Sequence, residues 1–287
     1  MKPSTSDGYD PATTLQAKAT CLYVATKLGD LMDEIVVVGG LVPSLLVPQD
    51  VGVHLDAHIG TMDVDLALNV ELLSTGLYER VAERLRGAGF ALDTNDRGNA
   101  MRQRWRPDLA YPGVGVDFLV QPTRSGDKGG RLRNLKPDFA AVIVPGLHLA
   151  FQDLVSVGLS GMTIQGERAT RKVRVCGPGA FIVLKALAFR NRGEEKDAYD
   201  LYYVLRYYGS GVDDVVKPLR PLAHDVDVLS ALAILREDFL DPEGLGPHRA
   251  AGFLNGGQRD DDIQADVAGF VGQFVRHLDA VVVGHGR

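Results

Sequence analysis

The sequence predicts an α+β protein, with a strand-and-helix half over residues 14–176 and a mostly helical half over residues 177–287. Three observations carry that expectation. IVVVGG (35–40) is a buried-type strand run that ends in a glycine pair. TMDVDLALN (61–69) puts its polar and apolar residues on opposite faces of a strand of period two. After Gly177-Pro178 the pattern turns helical, as in AFIVLKALAFR and KDAYDLYYVLRYY.

Taken in order, MKPSTSDGYDPATT lacks the apolar centre of a signal peptide, and residues 1–13 are expected to be a disordered lead-in. Residues 14–33 read as an amphipathic helix with Leu15, Leu22, Ala25 and Leu28 near one face. The first strand (35–40) leads into LVPSLLV, a short helical turn, and residues 48–60 read as a loop. In the next strand Val64, Leu66 and Leu68 oppose Asp63 and Asp65. A helix follows from about residue 71 to 88, with Leu77, Val81 and Leu85 at helical spacing. FALDT, MRQRWR and VGVDFLV are three further strands, and residues 121–137, rich in Gly, Arg and Lys, read as a loop. AVIV, LVSVGL, MTIQG and RKVRVC are short β-like runs before residue 176. Beyond the two quoted helices, further helices break at Pro218, Pro242 and Gly256-Gly257. No internal repeat is visible.

Apolar residues make up 45% and charged residues 24% of the 287, the balance of an ordinary globular chain. No uninterrupted apolar run is long enough to span a membrane, so no membrane partner is expected and a cytoplasmic location is. Only Cys21 and Cys176 are present, which excludes a disulfide framework and a cysteine zinc site. The net charge of −6 is unevenly spread. Residues 97–136 hold nine Lys/Arg against three Asp, a local +6, whereas residues 193–287 hold nine against seventeen Asp/Glu, a local −8. The basic segment reads either as a solvated face or as a localised polyanion site.

Strand alternation makes Asp63 and Asp65 project together, where like charges disfavour each other. A hard divalent cation such as Mg2+ relieves that conflict and also takes phosphate oxygens. A D-x-D pair alone is common on surfaces. Here it follows Gly39-Gly40, whose backbone can approach a phosphate, with the hydroxyls of Ser44 and Thr61 on either side of the connecting loop. Asp117 lies in the apolar strand GVGVDFLV, where it is either solvent-facing or held by a metal or partner. Lys185 is the only charge between Ala180 and Phe189, so it either snorkels or meets an anion such as a triphosphate. In the next helix Ala198, Leu201, Tyr202, Leu205 and Tyr208 form the apolar stripe, with Asp197 and Asp200 at its edge. Trp105, between Arg104 and Arg106, is a packed sheet residue or a base-stacking one. His54 and His58 are four apart in a glycine-containing loop, a poor zinc pattern.

The order of a strand ending in Gly-Gly, a D-x-D strand opening with Thr61, and a lone Asp117 on a later strand resembles the polymerase-beta-like nucleotidyltransferase superfamily. That resemblance implies a mixed β-sheet core, three carboxylates (Asp63, Asp65 and Asp117) holding two Mg2+ ions, and a Gly39-Gly40 turn that positions an NTP, with Ser44 and Thr61 beside it. FIVLKALAFRNRGEEKDAYDLYYVL (181–205) is similar to the signature of AbiEii-type nucleotidyltransferase toxins, which include the MenT group. By it Lys185 and Asp200 match the functional lysine and aspartate, Asp197 is the neighbouring acid, and Lys185 joins the NTP site. Asp117 is also the group expected to activate the acceptor hydroxyl. The family usually has Ser or Thr after the glycine pair; this chain has Leu41, and Ser44 is the candidate substitute. The resemblance further implies NMP transfer to the 3′ end of tRNA, arrested translation and a cognate antitoxin. RNA contacts are then expected from Arg102, Arg104, Arg106, Arg131 and Arg133. The alternatives are transfer to a protein or small-molecule hydroxyl, and a catalytically silent regulatory protein of the same fold.

Overall fold

The computed structural model describes residues 3–47, 57–69, 75–108 and 113–284. It is a mixed α/β protein with a mixed sheet and a helical C-terminus. The chain divides into two units. A sheet unit takes residues 11–42 and 60–176; a helical unit takes residues 1–10, 43–59 and 177–287. The junction at 176/177 lies where the sequence changes character, but the helical unit also recruits two earlier pieces. Burial explains the recruitment: Tyr9 and Val47 join Tyr199, Tyr203 and Phe253 in one apolar cluster. Tyr9 meets Phe253 edge-on at 5.6 Å, and the Ser6 hydroxyl donates to the Leu254 carbonyl at 3.4 Å. Residues 3–10 are therefore an ordered part of the helical unit, not a disordered lead-in.

In the sheet unit, α1 (Pro11–Leu28) starts earlier than expected because Pro11 suits a first helical turn. It stops at Gly29, whose φ of +56° leaves the helix, and residues 29–34 continue as a 3-10 turn. Leu22, Ala25 and Leu28 are buried as their spacing suggests, whereas Leu15 is exposed. The strands are β1 (Ile35–Val38), β2 (Asp63–Leu68), β3 (Phe90–Thr94), β4 (Ala100–Pro107), β5 (Gly115–Val120), β6 (Leu132–Lys136), β7 (Phe139–Ile143), β8 (Leu154–Met162) and β9 (Arg168–Cys176). A short helix α2 (Val42–Leu46) follows β1, and α3 (Thr75–Gly87) precedes β3. Parts of the expected 48–60 loop and 71–88 helix, and His54, lie outside the described residues.

The strands pair in the order β3-β4-β5-β2-β1-β9-β8, with β7 also on β5 and β6 on β7. β2 pairs β5 in parallel and β1 antiparallel, so the sheet is mixed. One edge of β5 is shared: β4 pairs at Val116 and Asp117, and β7 at Leu119 and Val120. β6 falls inside the stretch expected to be a loop; its polar composition hides a strand formed by pairing with β7. MTIQG is not a strand beyond Met162. It carries the β8–β9 turn, where Thr163 N–H donates to Glu167 O at 2.8 Å and Gly166 has φ +77°. Below the sheet, Phe118 and Trp105 each meet Phe139 edge-on at 5.0 and 5.9 Å. This packing settles Trp105 as a buried sheet residue, 0% exposed.

The helical unit contains α4 (Pro178–Arg192), α5 (Glu195–Tyr207), α6 (Val212–Val216), α7 (Val226–Asp238), α8 (Leu245–Leu254) and α9 (Asp261–Gly284). Pro178 opens α4, and Gly193 at φ +65° closes it. The expected breaks hold: Pro218 sits in a 3-10 turn, α7 ends before Pro242, and α8 ends before Gly256-Gly257. Among the described residues no helix is long and apolar enough to cross a membrane.

Candidate active site

The register of β2 on β5 sets Asp65 directly beside Asp117, and alternation puts Asp63 on the same face one step along. Asp63, Asp65 and Asp117 each offer a carboxylate oxygen, and these oxygens lie within 4.8 Å of one another. Asp63 and Asp117 are buried and Asp65 half-buried. Asp117 is therefore not the solvent-facing residue its strand allowed. The neighbouring strand adds a constraint. Val38 pairs with Asp65, so the chain turns at Gly39 right above that carboxylate. Gly39 has φ +72°, and a Cβ there would fall 1.9 Å from Asp65 Oδ2. Only glycine meets both demands. Thr61 donates its hydroxyl to the Asp63 carbonyl at 3.1 Å and to Asp63 Oδ1 at 3.2 Å, fixing that side chain rather than standing free.

Arg104 on β4 is paired in register with Asp117. Its Nε donates to Asp117 Oδ1 at 2.7 Å, its Nη2 donates to Asp117 Oδ2, and Nη2 also reaches Asp63 Oδ2 at 3.4 Å. This bidentate pair is the strong arrangement for a guanidinium and a carboxylate. The bonds to Asp117, and the charges of Asp117, Asp63 and Asp65, raise the Arg104 pKa above its ordinary value against the opposing effect of burial. Sequence reading placed Arg104 among RNA contacts; the structure makes it the counter-charge of the carboxylate cluster. Two others of that group are likewise engaged. Arg106 binds Asp93 at 2.8 Å and the Gly113 carbonyl at 2.7 Å, while Arg133 is buried against Asp127. Arg102 stays half-exposed with a bond to the Pro137 carbonyl, and Arg131 is exposed. Of the nine cations in residues 97–136, four (Arg104, Arg106, Arg133 and Lys136) are thus paired with carboxylates.

The helical unit holds a separate polar cluster. Lys185 on α4 donates to Asp197 at 2.9 Å and to Asp200 at 2.7 Å, both on α5. Lys196 donates to Asp200 Oδ1 at 2.6 Å, and Arg192 pairs with both oxygens of Asp197 at 2.7 and 2.8 Å. Lys185, Lys196, Asp197 and Asp200 are all buried. The anions that meet the buried Lys185 ammonium are therefore two aspartates of its own unit. Burial opposes the charge on Asp200, but Lys185, Lys196 and His58 outweigh it and hold the carboxyl well below the usual range. Asp197 is held low in the same way by Lys185 and Arg192.

Lys196 and Arg192 were not singled out by sequence reading, and His58 was read only as half of a poor zinc pattern. Lys196 had a signal, its i,i+4 spacing from Asp200; His58 had none without the tertiary fold. His58 Nε2 lies 2.8 Å from Asp200 Oδ1, and Nδ1 lies 3.0 Å from Ser44 Oγ. An ionised carboxylate only accepts, so Nε2–H donates to Asp200 and Nδ1 accepts the Ser44 hydroxyl proton. Ser44 is thus engaged in this cluster. Burial first, then the Lys196 charge, lowers the His58 pKa from 6.5 to about 4 against the pull of Asp200. The unfolded chain takes up this proton before the folded one. Stability is therefore full above pH 6.5 and falls by roughly 3 kcal/mol as the pH drops toward 4. Below the ordinary carboxyl value of 3.8, protonation of Asp197 and Asp200 adds a second loss. Urea midpoints measured across this range should show both phases, and His58→Asn should lack the upper one.

No protein-family model matches this chain, and no curated protein matches it.

Proposed function

We propose that Asp63, Asp65 and Asp117 form the metal centre of a magnesium-dependent nucleotidyltransferase that moves NMP from an NTP to an acceptor hydroxyl and releases pyrophosphate. The observation that carries this reading is the convergence of three carboxylates from adjacent strands on one face, under a glycine turn. The donor set fits the ion: three hard oxygen ligands within reach of one another suit Mg2+, not a soft metal. Bound there, divalent ions supply charge that stabilises the attacking and leaving oxygens of the transfer.

The chain's own residues do the rest. Asp63 and Asp65 would hold the cations, with Asp63 fixed in place by Thr61. Asp117 is a third ligand and the group that takes the acceptor's proton. Gly39 and Gly40 bring backbone to the cluster without a side chain. Leu41 is wholly buried, so phosphate binding at this turn falls to N–H groups. Lys185, expected in the NTP site, and Asp200, expected as a functional aspartate by the resemblance, are assigned the role of joining α4 to α5. Arg104 competes with the cations for Asp117 and Asp63. Arg104→Gln is therefore expected to bind Mn2+ roughly tenfold tighter, the effect of about 1.4 kcal/mol, while melting at a lower temperature when metal-free. Calorimetry and thermal melts read the two opposite signs.

The acceptor we propose is the 3′ hydroxyl of tRNA, with arrested translation as the result, a cognate antitoxin as partner and the cytoplasm as the place of action. This choice rests on the similarity of residues 181–205 to the AbiEii and MenT toxins. The test is incubation with each labelled NTP, Mg2+ and total tRNA, beside Asp65→Ala. Label in RNA with the unaltered protein alone supports the reading. Label in protein moves the acceptor to a side chain, and no label anywhere rejects transfer.

A further inference from the structure

We propose that the β8–β9 ribbon is a docking surface for the sugar-phosphate backbone of RNA. The ribbon pairs antiparallel over its whole length, from Leu154 with Cys176 to Met162 with Arg168. Alternation divides it into two faces. One carries Leu159, Val173 and Val175, all buried. The other carries Arg168, Thr170, Lys172 and Arg174 on β9 and their partners Met162, Ser160, Gly158 and Ser156 on β8. All eight of these are exposed.

Three cations, Arg168, Lys172 and Arg174, share this face on a chain of net charge −6; Arg171 lies on the other face, opposite Leu159. In the same unit Arg84, Arg86, Arg104, Arg106, Arg133 and Lys136 each reach a carboxylate, whereas among the described residues Arg97, Arg124, Lys128 and Arg131 do not. None of Arg168, Lys172 or Arg174 reaches one among the described residues; Arg174 instead donates to the backbone carbonyl of Asp33. A stripe of cations kept clear of acids is what a polyanion requires.

Shape supports the same occupant. Lys172 and Arg174 lie about 6.6 Å apart along the strand, and Arg168 about 13 Å from Lys172 with Thr170 between them. The β8 positions facing Arg174, Lys172 and Thr170 are Ser156, Gly158 and Ser160, which leave that part of the row open; Met162 faces Arg168. The Ser156 and Ser160 hydroxyls can donate to phosphate oxygens, as side-chain hydroxyls do in nucleic-acid interfaces. Ser160 and Thr170 already bond each other at 2.9 Å, which orders that pair. The row offers phosphate contacts and no base-reading amides, so the binding is sequence-independent.

The choice of RNA rests on the tRNA acceptor proposed above, while the binding itself is independent of the carboxylate chemistry. The test is fluorescence anisotropy of a labelled tRNA, in EDTA and without nucleotide, across a salt series. The unaltered protein is expected to bind with a steep salt dependence. Replacing Arg168, Lys172 and Arg174 together with Gln should weaken binding at least about tenfold and reduce the salt slope by roughly 2, as three lost phosphate contacts require. These side chains are exposed, so an unchanged circular dichroism spectrum is expected to accompany the loss. The comparison variant carries Arg102→Gln and Arg131→Gln and should bind nearly as well as the unaltered protein. Equal binding by the triple variant overturns the proposal, as does an equal loss in the comparison variant. Failure of the unaltered protein to bind tRNA, with capture of polyglutamate instead, overturns it in favour of an acidic protein partner.

Discussion

Asp200→Ala is expected to destabilise the helical unit by about 3–5 kcal/mol, the usual cost of removing one member of a buried charge network. The side chain is 0% exposed and receives bonds from Lys185, Lys196 and His58. Its loss removes the carboxylate to which Lys196 and the His58 Nε2–H donate. Lys185→Ala should cost distinctly less. Asp200 then keeps Lys196, and Asp197 keeps Arg192, so neither carboxylate is left alone. A urea titration of both variants separates them. Equal losses would mean that Lys185, not Asp200, organises the cluster.

The second large effect is on chemistry. Asp65→Asn should lower nucleotide transfer by at least ~10³-fold, as losing a metal-binding carboxylate does when charge stabilisation carries the reaction. The fold should survive, because removing one of three neighbouring negative charges relieves repulsion within the cluster. Asp117→Asn should lose as much transfer and also lose the bidentate pair with Arg104, lowering its metal-free stability. Equal loss of transfer at unequal stability is the readout that a merely structural role for the acids does not produce.

Much of this was legible in sequence because the relevant signals are short-range. Period-two alternation put Asp63 and Asp65 on one face, and the apolar run around Asp117 marked a strand, though not whether Asp117 faces solvent. Gly39 was readable as a turn, though its need to clear Asp65 emerges only from the β1–β2 register. What stayed hidden depends on pairing across the chain. Arg104 looks like one more cation of a basic segment until β4 lies against β5 and aims it at Asp117. His58 is 142 residues from Asp200, and no local pattern links them. Tyr9 and Val47 join the helical unit through apolar contacts that composition does not register. β6 is polar and short, a strand by virtue of β7 alone.

The most direct measurement is a Mn2+ titration followed by calorimetry, with a non-hydrolysable NTP analogue present, on the unaltered protein and on Asp65→Asn. The expected result is binding of two ions to the unaltered chain and loss of that binding in the variant. An unaltered protein that binds no ion, or a variant that binds as well as its parent, would contradict a metal centre built on β2 and β5.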